Sequence, residues 1–281
     1  MSLNGIQLRC GSWEAEVLPF FGANLISLKK DGHALLRTPD SMEQLEVSPY
    51  LYGNPLLFPP NRTAEGKFCF EGKEYFLPIN EPQFGNHLHG LLYNALFQTK
   101  NYSDNSVVCF LKNEGELFPF CFTLEISFTL DEEGLTQRIN VHNDGDHAMP
   151  VLLAFHTSFA TPECFSVPIG KRWEIDSCYI PTEKLTDLNE QELLYRSGCH
   201  PDGKVITGFY TAENHTAHIG RILYETSPKF TQWILYNGGG KKGFLCVEPQ
   251  TGCVNGLNMP GEHLVLSEGE TAEFWLRFTL H

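Results

Sequence analysis

Apolar and polar residues alternate with a period of two along much of the chain, which predicts half-buried β-strands. Phe122, Leu124, Ile126, Phe128 and Leu130 fall on one side, Asp131-Glu132-Glu133-Gly134 turns, and Leu135, Gln137, Ile139 and Val141 return. That pattern reads as a hairpin. A second is expected from Phe68 and Phe70, a Glu71-Gly72 turn, then Tyr75 and Leu77; a third from Ser27–Lys30, Asp31-Gly32 and Ala34–Leu36. Alternation resumes at Phe274, Leu276, Phe278 and Leu280, after a Glu268-Gly269 turn. Glu183–Tyr195 is expected to hold a short helix, weakened by Asp187 and Asn189. The segments around Pro59-Pro60, Pro78–Pro82 and Asn237–Lys242 read as loops. With no linker and no internal repeat, the expectation is one all-β, antiparallel domain over residues 1–281, with few short helices.

Composition sharpens this picture. Hydrophobic residues are 42% of the 281, enough for a sizeable core, and 21 phenylalanines suit a pleated surface. The formal net charge is −14 with no Lys/Arg block, so phosphate backbones and anionic lipids are repelled. Nucleic acid and membranes are therefore poor partners, whereas a neutral sugar is indifferent to that field. The first thirty residues lack a basic segment followed by an apolar one, so no secretory signal is expected. No apolar run approaches the length of a membrane span. Nine cysteines stand singly at 10, 69, 109, 121, 164, 178, 199, 246 and 253, with no CxxC pair. They read as free thiols in a reducing cytoplasm, which is the expected location.

Long loops on a β scaffold are where binding groups gather. Asn61-Arg62 lies in one, and Arg offers a rigid fork of donors to hydroxyls or a carboxylate, although a surface arginine reads the same way. His87-Leu88-His89 places two imidazoles on one face if it is a strand. Such a pair could bind metal with His156 and Glu248 recruited, could be structural, or could hydrogen-bond a ligand. His156 follows the apolar run Val151–Phe155, and Glu248 follows Phe244–Val247. Each alone could be a satisfied core residue or a salt-bridge partner, but an imidazole is also a proton donor near neutrality.

Order and spacing add more. Asn61-Arg62, Gly66-Lys67-Phe68, Gly72–Leu77 with Tyr75, and Leu88-His89-Gly90 occur in series. Asn143–Pro150 leads into Ala154-Phe155-His156, and Leu245–Pro249 is followed by Val254-Asn255, Pro260-Gly261 and Leu266–Glu270. Over nearly the whole chain this resembles the aldose 1-epimerase (galactose mutarotase) family. The resemblance implies a large β-supersandwich with a cleft across one sheet, Glu248 as general base, His156 as general acid, and His89 and Arg62, with Asn61 in support, holding a monosaccharide. Neither metal nor cofactor is implied, because opening a hemiacetal needs only one base and one acid. A monomer or homodimer is expected.

Three departures bear on the substrate. Thr157-Ser158-Phe159 follows His156 where relatives carry Pro-Tyr-Phe or Ser-Tyr-Phe, and Leu91 stands where a second glycine is usual. The family's sugar-binding aspartate would fall within Val205–Tyr210, which has no carboxylate. Neither galactose nor glucose is therefore assigned. The alternatives are a hexose 6-phosphate, whose phosphate would need a cationic pocket drawn from Arg62, Lys171, Arg172 and Lys241-Lys242; a carbohydrate-binding protein without turnover; and a metalloenzyme built on the two histidines.

Overall fold

The computed structural model of the protein describes residues 3–281, and the counts below refer to them. Two eight-stranded antiparallel sheets dominate. The first runs, in spatial order, Gln98–Tyr102, Ser106–Glu114, Cys121–Leu130, Gly134–Asn143, Thr271–Leu280, Ile222–Thr226, Thr216–Ile219 and Phe165–Ser166. The second runs Pro181–Thr186, Ile169–Ile175, Thr207–Ala212, Gln232–Tyr236, Phe244–Gln250, Ala154–Phe155 and Leu56–Leu57, with Ser158–Ala160 also paired to Phe244–Gln250. A four-stranded sheet near the N-terminus holds Ile6–Cys10, Trp13–Leu18, Asn24–Lys30 and His33–Ala34. The architecture is the all-β one that the alternation predicts.

Period-2 patterning places the core. Phe122, Leu124, Ile126, Phe128 and Leu130 are all fully buried, facing Leu135, Ile139 and Val141 in the registered hairpin. Phe68 pairs with Tyr75, and Lys29 with Ala34, so the other two expected hairpins form as well. Gln137 is also buried on this inward face, and its Oε1 accepts a hydrogen bond from Asn54 Nδ2 at 2.8 Å. That bond satisfies the carbonyl end of the buried amide.

The helices differ from the expectation. Pro181–Thr186 is a strand, and the helix runs Glu190–Ser197. Asn189 does not weaken it but begins it. Its side chain accepts from the Glu192 backbone N–H, while the Glu192 carboxylate accepts from the Asn189 backbone N–H. This reciprocal pairing is the capping box. A six-residue helix, Met42–Val47, lies in a stretch where no helix is predicted.

The strand Phe244–Gln250 is buried on both faces. Leu245 and Val247 enter the main core, and Trp173, Phe209, Ile234, Val254 and Met259 form a smaller apolar cluster of their own. Phe209 and Ile234 also line a cleft on the second sheet, where Glu248 opens.

Candidate acid–base site

Glu248 lies within the strand Phe244–Gln250, two residues before its end, rather than just after it. The neighbouring segment passes antiparallel to it, pairing Ala154 with Gln250 and Ser158 with Cys246. Between those two pairs the same register sets His156 opposite Glu248. The Val247 backbone N–H donates to the Thr157 carbonyl at 3.0 Å and holds the segment there. His156 Nε2 consequently lies 3.3 Å from Glu248 Oε1, with the residues only 5% and 2% exposed.

A second registered pair brings in the remaining residues. Arg62 pairs with Leu88 and Thr63 with His87, and the His89 backbone N–H donates to the Asn61 carbonyl at 2.8 Å. Asn61 (φ 52°) and His89 (φ 65°) both adopt left-handed backbone. The two-residue strand therefore ends at Leu88, and the expected single face for both imidazoles does not form. His87 points its Nδ1 at the Pro78 carbonyl, 2.7 Å away, and does not line the cleft. Gly90 follows because a Cβ there would stand 2.1 Å from the Phe58 carbonyl oxygen.

The cleft has a volume of about 610 Å³, and His156, Glu248, His89, Arg62 and Asn61 all line it. Sequence reasoning missed three further contributors. Glu81 accepts from Arg62 Nε at 2.8 Å and from Nη2 at 2.7 Å, and so fixes the guanidinium in a bidentate grip. Tyr50 packs its ring 4.4 Å from that of His89, which meets His156 edge-on at 5.3 Å. Asn255, present in the sequence as part of a motif without a role, donates its backbone N–H to the Arg62 carbonyl and accepts from the Ala64 N–H. It thereby ties the loop after Glu248 to the arginine. Thr207 and Phe209 line the wall where the family's aspartate was sought.

Burial sets the proton affinities. It raises the Glu248 carboxyl well above its usual range, with Arg62 pulling the other way. It lowers the His156 imidazole to about 4 and takes His89 well below its ordinary value, the latter helped by His156 and Arg62. Charging either member of a buried pair alone is unfavourable, so His156 and Glu248 together favour holding one proton and no net charge. Such a pair can take a proton at one atom while giving one at another.

His156, Cys246 and Glu248 place three donor atoms within 4.8 Å of one another, the right types for a soft divalent ion. The Cys246 sulfur, however, lies 3.1 Å from Ser158 Oγ, and burial pushes its thiol well up, which disfavours the thiolate a metal requires. Lys171, Arg172, Lys241 and Lys242 do not line the cleft. Arg172 is instead paired with the buried Glu192.

The chain and its fold have relatives among known proteins. A galactose mutarotase-like protein of Clostridium acetobutylicum superposes with a TM-score of 0.90 at 25% identity, over 98% of this chain and 94% of that one. The uncharacterized Escherichia coli protein YihR is 26% identical over 94% of this chain and 89% of its own length. Mouse galactose mutarotase is 27% identical, covering 84% of this chain and 81% of its own. The sequence profile of the aldose 1-epimerase family matches residues 8–279, and the chain belongs to that family.

Proposed function

We propose that the protein is a mutarotase, interconverting the α and β anomers of a hexose by ring opening and reclosure. The observation that carries this reading is the 3.3 Å contact between His156 Nε2 and Glu248 Oε1 on the floor of the cleft. The two oxygens of a cyclic hemiacetal sit on one carbon, so an acid and a base side by side can address both at once.

In the forward direction the Glu248 carboxylate removes the proton of the anomeric hydroxyl, and the His156 imidazolium protonates the ring oxygen. The bond from the anomeric carbon to the ring oxygen breaks, leaving an aldehyde and a free hydroxyl. Glu248 is then protonated and His156 neutral, which is the other form of the same one-proton pair. Burial favours that uncharged form, so the ion pair that begins opening is the less populated arrangement of the same proton, and reclosure must restore it. Rotation about the C1–C2 bond presents the other carbonyl face. Reclosure reverses both transfers, and the pair returns to its starting state with no outside proton. Each positioned acid or base typically supplies roughly 10²–10⁴-fold.

Arg62, His89 and Asn61 hold hydroxyls of the ring. A neutral sugar fits better than a phosphorylated one, because both Nε and Nη2 of Arg62 are already committed to Glu81. Polarimetry of freshly dissolved α-glucose and α-galactose tests the activity. Protein should accelerate the optical drift, and Glu248→Gln should abolish the acceleration. An optical drift that the wild type leaves at the spontaneous rate, with these sugars nonetheless bound, would mean a carbohydrate-binding protein instead.

A further inference from the structure

The second sheet presents a grid of side chains to the cleft. On the strands Thr207–Ala212, Gln232–Tyr236 and Phe244–Gln250, Phe209 pairs with Ile234 and Ile234 with Glu248. One step along, Thr207 pairs with Tyr236 and Tyr236 with Cys246. Directly opposed residues of antiparallel strands share a face. The row through Glu248 is otherwise apolar, while the next row sets the Thr207 hydroxyl beside the Tyr236 phenol, and both residues line the cleft. With about 4.8 Å between strands and about 6.7 Å for two residues along one, the Tyr236 and Glu248 backbones stand roughly 8 Å apart. A single pyranose with its hydroxyls bridges such a gap.

The Tyr236 ring lies 6.5 Å from that of His156, at 77°, and 6.0 Å from that of the buried Phe244. Among the described residues, neither its hydroxyl nor that of Thr207 has a hydrogen-bond partner in the protein. Burial raises the pKa of the phenol, Cys246 and Glu248 add to that and Arg62 opposes it, so the hydroxyl stays protonated and can donate. The backbone flanking both hydroxyls is locked. Asn237, only 2% exposed, accepts at Oδ1 from the Ile206 N–H at 3.0 Å and donates from Nδ2 to the Lys204 carbonyl at 2.8 Å. Its own backbone N–H donates to the Ile206 carbonyl at 3.1 Å. Ile206 precedes Thr207 and Asn237 follows Tyr236, so one buried amide fixes the strand ends that carry the hydroxyl pair.

We infer that Tyr236 and Thr207 are further substrate-binding residues of the acid–base site, reading ring hydroxyls of the sugar that are turned towards the sheet. This rests on the mutarotase reading for the chemistry at His156 and Glu248. The phenol donates, and the threonine hydroxyl donates or accepts, so the pair selects a neutral aldose that carries a hydroxyl at the facing position. A site that hydrogen-bonds a hydroxyl discriminates against the analogue lacking it, because the protein group is then left unpaired in a partly dry cleft.

The test measures kcat/KM for glucose, galactose and the monodeoxy analogues of each. Loss of the facing hydroxyl should cost the wild type about tenfold, equivalent to about 1.4 kcal/mol. Tyr236→Phe, which removes one oxygen and keeps the ring on Phe244, should cost the parent sugar a similar factor and the critical analogue nothing further. Thr207→Val should behave in the same way towards the same hydroxyl or an adjacent one. Wild-type rates in both variants, or losses equal on every sugar, overturn the contact and leave the mutarotase reading standing. Calorimetric affinities that show the same pairing of variant and analogue, without turnover of any sugar, support the contact and overturn the mutarotase reading. Neither binding nor turnover of these sugars overturns both.

Discussion

Glu81 grips Arg62 through both carboxylate oxygens, at 2.8 and 2.7 Å, and both side chains are largely withdrawn from solvent. The arginine is thus a fixed donor array, and its third contact, Nη1 to Asn61 Oδ1 at 3.3 Å, aligns a second binding residue. Arg62→Ala is expected to act mainly on KM, because a positioning contact serves ground and transition states alike. Hydrogen bonds to charged groups are worth about 1.5–3 kcal/mol, so KM should rise roughly 10- to 100-fold. Glu81→Ala should reproduce much of that rise by freeing the guanidinium. Steady-state kinetics that put the loss of either variant into kcat alone would contradict the positioning role.

His156→Asn and Glu248→Gln should each lower kcat by roughly 10²–10⁴ while leaving the circular dichroism spectrum unchanged. Either variant retaining the wild-type rate on a sugar the protein turns over would remove that residue from the reaction.

The two members of the pair should also set the pH dependence of catalysis. Activity needs one proton on the pair, and burial pulls His156 down to about 4 and Glu248 up. The kcat/KM profile should fall as the pH drops towards about 4, and fall again as the pH rises past the raised Glu248 value. An acid limb centred at the ordinary histidine value would contradict the burial argument.

Stability should respond to acid through the same groups. His156, His89 and His87 all have depressed folded-state pKa values, chiefly from burial. The unfolded chain therefore takes up protons first, and the stabilisation present above about pH 6.5 is lost as the pH falls through the depressed values. Glu248 has the opposite sign, since its folded pKa is raised. Between pH 6.5 and 4.5 the histidines therefore lower Tm and Glu248 raises it. Relative to wild type, His156→Asn should lose less Tm on acidification through this window and Glu248→Gln should lose more, as read by thermal unfolding at several pH values.

Thr157 stands directly behind the site and links the two large sheets. Its hydroxyl lies 2.6 Å from Asn54 Oδ1 and 2.7 Å from the Tyr224 hydroxyl, and Asn54 continues to Gln137. Thr157→Val should leave buried polar atoms unpartnered and lower unfolding free energy by about 1–3 kcal/mol. Urea unfolding with a midpoint unchanged from wild type would show that the network carries no such load.

Several features were legible in the residues themselves. The hairpin around Asp131–Gly134 and the inward Phe122–Leu130 face follow from a local period of two, which depends on no distant partner. The two α-helices are short, and local signals located them poorly: Asn189 as a cap and Asn189 as a helix breaker look alike until Glu192 is seen to reach back. His87 and His89 were separated by a change of backbone hand at one residue, which alternation does not encode.

The amino-acid order by itself determined the β class, the inward faces of the hairpins and, by resemblance, the residues to watch. It did not determine that His156 and Glu248 meet. Their contact depends on one register, fixed when Ala154 pairs with Gln250 and Ser158 with Cys246. A slip of one residue would turn one of the two side chains to the opposite face of the sheet. Register between distant strands is chosen by packing of the whole molecule, and so is the grip of Glu81 on Arg62. Those were decided only in three dimensions, because nothing local in the chain records which remote strand will lie alongside.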